Sequence, residues 1–119
     1  MDKVVIEPAI RAAARRLAEA SGADAVILFG SRARGDNEPD SDWDLCVLLP
    51  DDIAPQQFTP SKLWDLVSDM GVPIQVCPVR RSVFEFKKND VNSLSYDVAR
   101  EGVALVGSVE NRVVAADPS

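Results

Sequence analysis

Histidine is missing altogether from this 119-residue chain. That absence excludes a Ser-His-Asp triad, a Cys-His couple and any His-ligated zinc centre. Cysteine is scarce: Cys46 and Cys77 are the two present, both set in apolar runs, too few for a disulfide framework, and they read as reduced core or near-core thiols. No apolar run approaches the roughly 20 residues of a membrane-crossing helix, and the first residues contain no signal-peptide core. A cytoplasmic protein without membrane association is therefore expected. A basic surplus is also lacking, with 13 Lys and Arg against 19 Asp and Glu for a formal net charge of −6. Direct nucleic-acid binding is not expected of such a chain, because phosphate backbones are held by clustered bases. The 46% hydrophobic and 27% charged residues suit one soluble globular domain, and a separate substrate domain is not expected within this length.

What is present is distributed unevenly. Residues 36–52 hold seven carboxylates and no base, so the negative surplus lies in one short stretch. A divalent cation is a more natural partner for it than a phosphate backbone.

Periodicity supplies the outline. Apolar residues at Ile6, Ile10, Ala13, Leu17 and Ala20 predict a helix over Glu7–Ser21, with Pro8 in its first turn and Gly22 as its stop. Ala25–Phe29 is an unbroken apolar run, the pattern of a strand buried on both faces. Ser31–Arg34 reads as one helical turn, Gly35–Ser41 as a loop and Trp43–Leu49 as a second strand with alternating faces. After a loop at Asp51–Pro60, a helix is expected over Ser61–Met70 and a strand over Val72–Val79, in which Pro73 and Pro78 belong at the strand's ends or on an edge. Arg80–Lys88 and Ser93–Glu101 read as helices, and Val103–Val106 as a short strand. Residues 1–107 are thus expected to form one domain and 108–119 a flexible tail. Trp43 and Trp64 read as core or near-core packing, Tyr96 as a helix-face residue, and Arg80 and Arg81 as a solvated helix start. Phe84 and Phe86 cannot both face one core from one helix, which leaves one for a partner surface.

The chemistry concentrates at Gly30-Ser31-Arg32-Ala33-Arg34-Gly35-Asp36 and Ser41-Asp42-Trp43-Asp44-Leu45. Asp42 and Asp44, two apart in a strand, project from one face and repel one another unless a cation lies between. Oxygen ligands of this kind favour Mg²⁺, which takes one or two carboxylates plus substrate phosphates. A strand ending in Gly30 and turning into a helix presents backbone N–H groups to an anion, and Ser31 adds a hydroxyl. Arg32 and Arg34 are the only bases between residues 17 and 61, and are candidates to face the phosphates. An EF-hand reading of Asp40, Asp42 and Asp44 fails on Leu45, which stands where that loop needs glycine, and neither a Walker nor a G-x-G-x-x-G fingerprint occurs. A merely solvated acidic loop leaves the Gly-Ser turn unexplained.

Apolar-Gly-Ser, ten residues, then Asp-x-Asp resembles the signature of the polymerase-beta-like nucleotidyltransferase superfamily in its minimal form, the minimal nucleotidyltransferases (MNT). Residues 26–48 match closely, including Ser-Arg-Ala-Arg-Gly-Asp, and the chain is similar through Arg100–Val106. The resemblance implies a small α/β (α+β) fold with a mixed sheet, Gly30 and Ser31 near a triphosphate, and Asp42 and Asp44 holding two Mg²⁺ ions. The family's third carboxylate falls at Gln75, within Ile74-Gln75-Val76; its neutral amide can act neither as a base nor as a compensating charge, so retention of a single ion is the alternative. Nothing in the spacing of Asp51, Asp52 or Glu85 marks a substitute. The function implied is transfer of AMP from ATP to a helical HEPN-type partner, as the antitoxin of a toxin-antitoxin pair. The alternative is a nucleotide- or partner-binding antitoxin module impaired in catalysis by Gln75. A third reading is an orphan transferase for a small hydroxylated acceptor, and self-association is left open.

Overall fold

The computed structural model describes residues 6–53 and 57–107. The expected tail at 108–119 lies outside them. The chain opens with helix α1 (Pro8–Ser21), followed by strand β1 (Ala25–Phe29), the single turn α2 (Ser31–Arg34) and strand β2 (Trp43–Leu49). Helix α3 (Pro60–Val67), strand β3 (Ile74–Arg80), helices α4 (Arg81–Lys87) and α5 (Leu94–Glu101), and strand β4 (Val103–Val106) complete it.

The four strands lie in the order β3-β2-β1-β4. β1 runs antiparallel to both β2 and β4, whereas β2 and β3 are parallel, so the sheet is mixed. This follows from chain length between strands: α3 and its loops give the crossover that a parallel pair requires. β1 occupies a central position and every one of its residues is buried, as its unbroken apolar run demands.

Two apolar layers cover the sheet. On one face Val26, Leu28, Trp43, Leu45, Val47 and Ile74 pack with Ile10, Ala14 and Leu17 of α1 and Leu63 and Val67 of α3. On the other, Ile27, Phe29, Cys46 and Leu48 pack with Phe84 of α4 and Val98 of α5. The alternation expected of β2 is therefore the one observed. Burial of the Cys46 thiol pushes its pKa up to about 12, which keeps it protonated and inert.

Several boundaries differ from the sequence expectations. α3 begins at Pro60 because the Thr59 hydroxyl accepts the Lys62 N–H, and it ends at Val67. β3 begins at Ile74 and runs to Arg80, displacing the start of α4 to Arg81. Ala20 is exposed, because at about 100° per residue it lies roughly 80° around the helix from Ile10. Trp64 is the main correction: expected in or near the core, its residue is 49% exposed, since Leu63 and Val67 already fill the inward stripe of a two-turn helix. The two phenylalanines of α4 divide as anticipated, with Phe84 fully buried and Phe86 84% exposed.

Candidate active site

The chemical residues meet where β1 ends and β2 begins. Gly30 follows β1 with φ +80°, a left-handed value that side chains rarely adopt, and its carbonyl accepts the Ala33 and Arg34 N–H groups that start α2. Glycine is required there for a second reason. A methyl group on Gly30 would collide with the Asp44 Oδ2 atom and lie 3.3 Å from its Cγ. The β1–β2 register sets this approach by pairing Phe29 with Asp44.

Asp44 is half-buried, whereas Asp42, just before β2, is exposed. Burial pushes the Asp44 carboxyl above its ordinary pKa; the charge of Asp42 and, to a lesser degree, that of Glu101 push the same way, and Arg34 opposes them. The pair is thus a site of concentrated negative charge that its neighbours do not neutralise. Across β2, the parallel register places Gln75 directly beside Asp44. The position expected for a third carboxylate is therefore beside the other two, and it carries an exposed amide. Asp42 and Asp44 are the oxygen donors here that could hold one Mg²⁺ shared with phosphate oxygens. No cluster of three His, Cys, Asp or Glu side chains able to hold a metal occurs among the described residues.

The two arginines of α2 separate in role. Arg32 donates from Nε to the Ser41 carbonyl at 3.2 Å and from a terminal nitrogen to the carbonyls of Pro39 and Ser41, each at 3.0 Å. Its guanidinium also lies 4.4 Å from the centre of the Trp43 ring, a stacked arrangement that ties the Gly35–Ser41 loop to the start of β2. Arg34 pairs instead with Asp36 and Glu101, each at 3.1 Å.

Glu101 escaped the sequence reading. Its Oε2 accepts the Gly30 N–H at 2.7 Å while the same carboxylate accepts from Arg34. The last residue of α5 reaches the end of β1 because β4 pairs antiparallel with β1, Val103 opposite Leu28. Gly102 makes the junction, since a methyl group there would collide with Ile27 Cγ2 and the Val98 carbonyl. The available signal was Glu-Gly at the seam between a helix and a strand, which discloses nothing until the pairing of that strand is known.

A family model for the nucleotidyltransferase domain matches residues 10–99 of this chain. The chain belongs to that family. The segment matched extends from α1 through α5 and includes Gly30, Asp42, Asp44 and Gln75. A solved toxin-antitoxin structure with AMP-PNP is similar to this nucleotidyltransferase domain with a TM-score of 0.57 and 19% identity, over 82% of this chain and 73% of the other. At that identity the likeness establishes the fold. A candidate nucleotidyltransferase from Sulfolobus solfataricus aligns at 21% identity over 87% of this chain and 90% of its own, but its TM-score of 0.36 carries no argument. None of the curated proteins compared with the chain matches it. Among the described residues, no helix is long and apolar enough to cross a membrane.

Proposed function

We propose that this nucleotidyltransferase domain transfers AMP from ATP to a partner protein in the cytoplasm, and that it acts as the antitoxin toward a helical HEPN-type toxin. One observation carries the reading: Asp44, with Asp42 two residues before it, lies against the Gly30 turn, so the candidate cation ligands and the Gly-Ser turn meet at one point. The likeness to a toxin-antitoxin structure with AMP-PNP supports the choice of nucleotide and partner. Phe86, exposed on α4 beside Val83, supports a protein acceptor by offering apolar surface for it.

In this reading Gly30 and Ser31 receive the triphosphate, and Arg34 exchanges its carboxylate partners for phosphate oxygens. Arg32 holds the loop that carries Asp42 in position. Asp42 and Asp44 hold Mg²⁺, which when bound neutralises phosphate charge. An acceptor hydroxyl oxygen forms a bond to the α-phosphorus, the bond from that phosphorus to the β-phosphate oxygen breaks, and pyrophosphate leaves. The hydroxyl proton passes to the Asp pair or to water, because the Gln75 amide cannot accept it. The decisive experiment incubates the folded protein with labelled ATP, Mg²⁺ and the product of an adjacent reading frame. Label on that partner is expected; an unlabelled partner overturns the reading.

Gln75 favours a second reading, a module that binds and neutralises its partner without transfer. The Asp42→Asn/Asp44→Asn double variant distinguishes the two. Under the second reading it still neutralises the partner, whereas under the first it binds but does not neutralise.

A further inference from the structure

Trp64 is a large aromatic residue in a position that no packing demand explains. It stands half-exposed on α3 and borders a groove of about 400 Å³ between that helix and β3, an outer strand of the four-stranded sheet. Asp42 and Gln75 also line the groove, together with Ser61, Ile74 and Val76. The volume falls in the range of a small-molecule site, roughly 300–1,000 Å³.

The chemistry of the lining narrows the occupant. Among the described residues no Lys or Arg borders the groove, so its lining does not favour phosphates. It offers an indole face, an apolar floor from Ile74 and Val76, a hydroxyl from Ser61, and a Gln75 amide that both donates and accepts. A flat, neutral ring system with hydrogen-bonding edges fits those surfaces.

Position supplies the second constraint. Phe29, Asp44 and Gln75 stand side by side on three adjacent strands, so the Gly30 turn and Gln75 flank the carboxylates about 10 Å apart. A nucleotide has the same order: triphosphate tail, α-phosphorus, then sugar and base. With the tail at Gly30 and the α-phosphorus at Asp42 and Asp44, the remainder extends toward Gln75.

We propose that the Trp64 groove holds the base and sugar of the nucleoside triphosphate, with the base stacked on the indole and Gln75 and Ser61 contacting its edge or the ribose hydroxyls. This deepens the transferase reading and rests on it. In this role Gln75 recognises the nucleoside, which accounts for a neutral residue beside two carboxylates. Stacking on one aromatic face makes the site tolerant of base identity, with purines favoured by their larger rings.

The test compares Mg·ATP with Mg·tripolyphosphate, which has the tail but neither base nor sugar, by calorimetry and tryptophan fluorescence. Trp64→Ala is expected to weaken ATP binding between about fivefold and a hundredfold while tripolyphosphate binding stays within twofold. Trp64→Phe is expected to recover most of the ATP affinity. ATP, unlike tripolyphosphate, is expected to quench the wild-type fluorescence, and that quench is expected to vanish in Trp64→Phe, leaving only buried Trp43. Because Trp64 is exposed, both variants are expected to melt close to the wild type. If the wild type binds neither ligand, the transferase reading falls and this inference falls with it. If it binds both and Trp64→Ala weakens neither or both equally, the inference alone is overturned. It is likewise overturned if Trp64→Ala keeps its ATP affinity and loses only transfer to the partner, which assigns the groove to the acceptor.

Discussion

At the start of β2, Asp44 lies against Gly30 with Asp42 beside it, and its pKa is raised by burial and by the like charge of its neighbour. Just past the end of the same strand, Asp51 accepts the Ser82 N–H at 3.0 Å, and that hydrogen bond holds its carboxyl below the ordinary value. Arg80 donates to the carbonyls of Asp51 and Ile53 at 2.7 and 2.6 Å, which fastens the turn. Both regions belong to the acidic stretch 36–52, which looked uniform as composition. One end uses its carboxylate to join the β2 turn to the start of α4, whereas the other sets two like-charged carboxylates side by side. An acidic run identifies a candidate site only after the locally satisfied members have been subtracted.

The comparison predicts unequal responses to substitution. The largest is expected from Asp42→Asn combined with Asp44→Asn, which should lower the transfer rate by roughly a hundredfold or more with the fold retained, measured with labelled ATP and circular dichroism. An Asp51→Asn variant that loses as much transfer, with its fold intact, would break the contrast. Next comes Gly30→Ala, which forces φ +80° on alanine and a methyl group onto Asp44; a loss of about 1–3 kcal/mol is expected in denaturant unfolding. Glu101→Ala removes the acceptor of the Gly30 N–H and a partner of Arg34, and should cost about 1.5 kcal/mol in the same measurement.

The smallest effect, and the sharpest in sign, is the pH dependence. For Asp44 the folded pKa lies above the unfolded one, so the folded state holds the extra proton between them and stability falls as pH rises through that window. Asp51 has the lower folded value, so its contribution is present above the ordinary value and is lost as pH falls through the folded one. Melting temperature against pH should therefore change in opposite directions in Asp44→Asn and Asp51→Asn. The Asp44 variant is expected to be slightly more stable than the wild type at neutral pH, and a less stable Asp44→Asn protein would contradict the account of an uncompensated charge.

Much of this architecture was legible in advance, for local reasons. The buried run Ala25–Phe29, the alternation of Trp43–Leu49 and the Gly30-Ser31 turn each declare themselves within a few residues, because side-chain period and backbone freedom are local properties. Asp42 and Asp44 were singled out for the same reason and by family resemblance, and Gln75 by the resemblance alone. Trp64 was misplaced because periodicity indicates which residues can face a core but not how much core a short helix has left to fill. Arg32 and Arg34 looked equivalent in sequence, yet one stacks on Trp43 and the other reaches Glu101. That difference depends on what surrounds each side chain once β2 and α5 are docked.

By itself the sequence determined the strand, turn and strand that carry the Gly-Ser and Asp-x-Asp residues, since those follow from the spacing of residues close along the chain. The tertiary structure alone decided that Glu101, 71 positions from Gly30, binds its amide, and that Gln75 stands beside Asp44. It also decided that Trp64 borders the groove next to them. These juxtapositions depend on strand order and register, set by the burial of two sheet faces at once, a property of the assembled layers that no single segment carries.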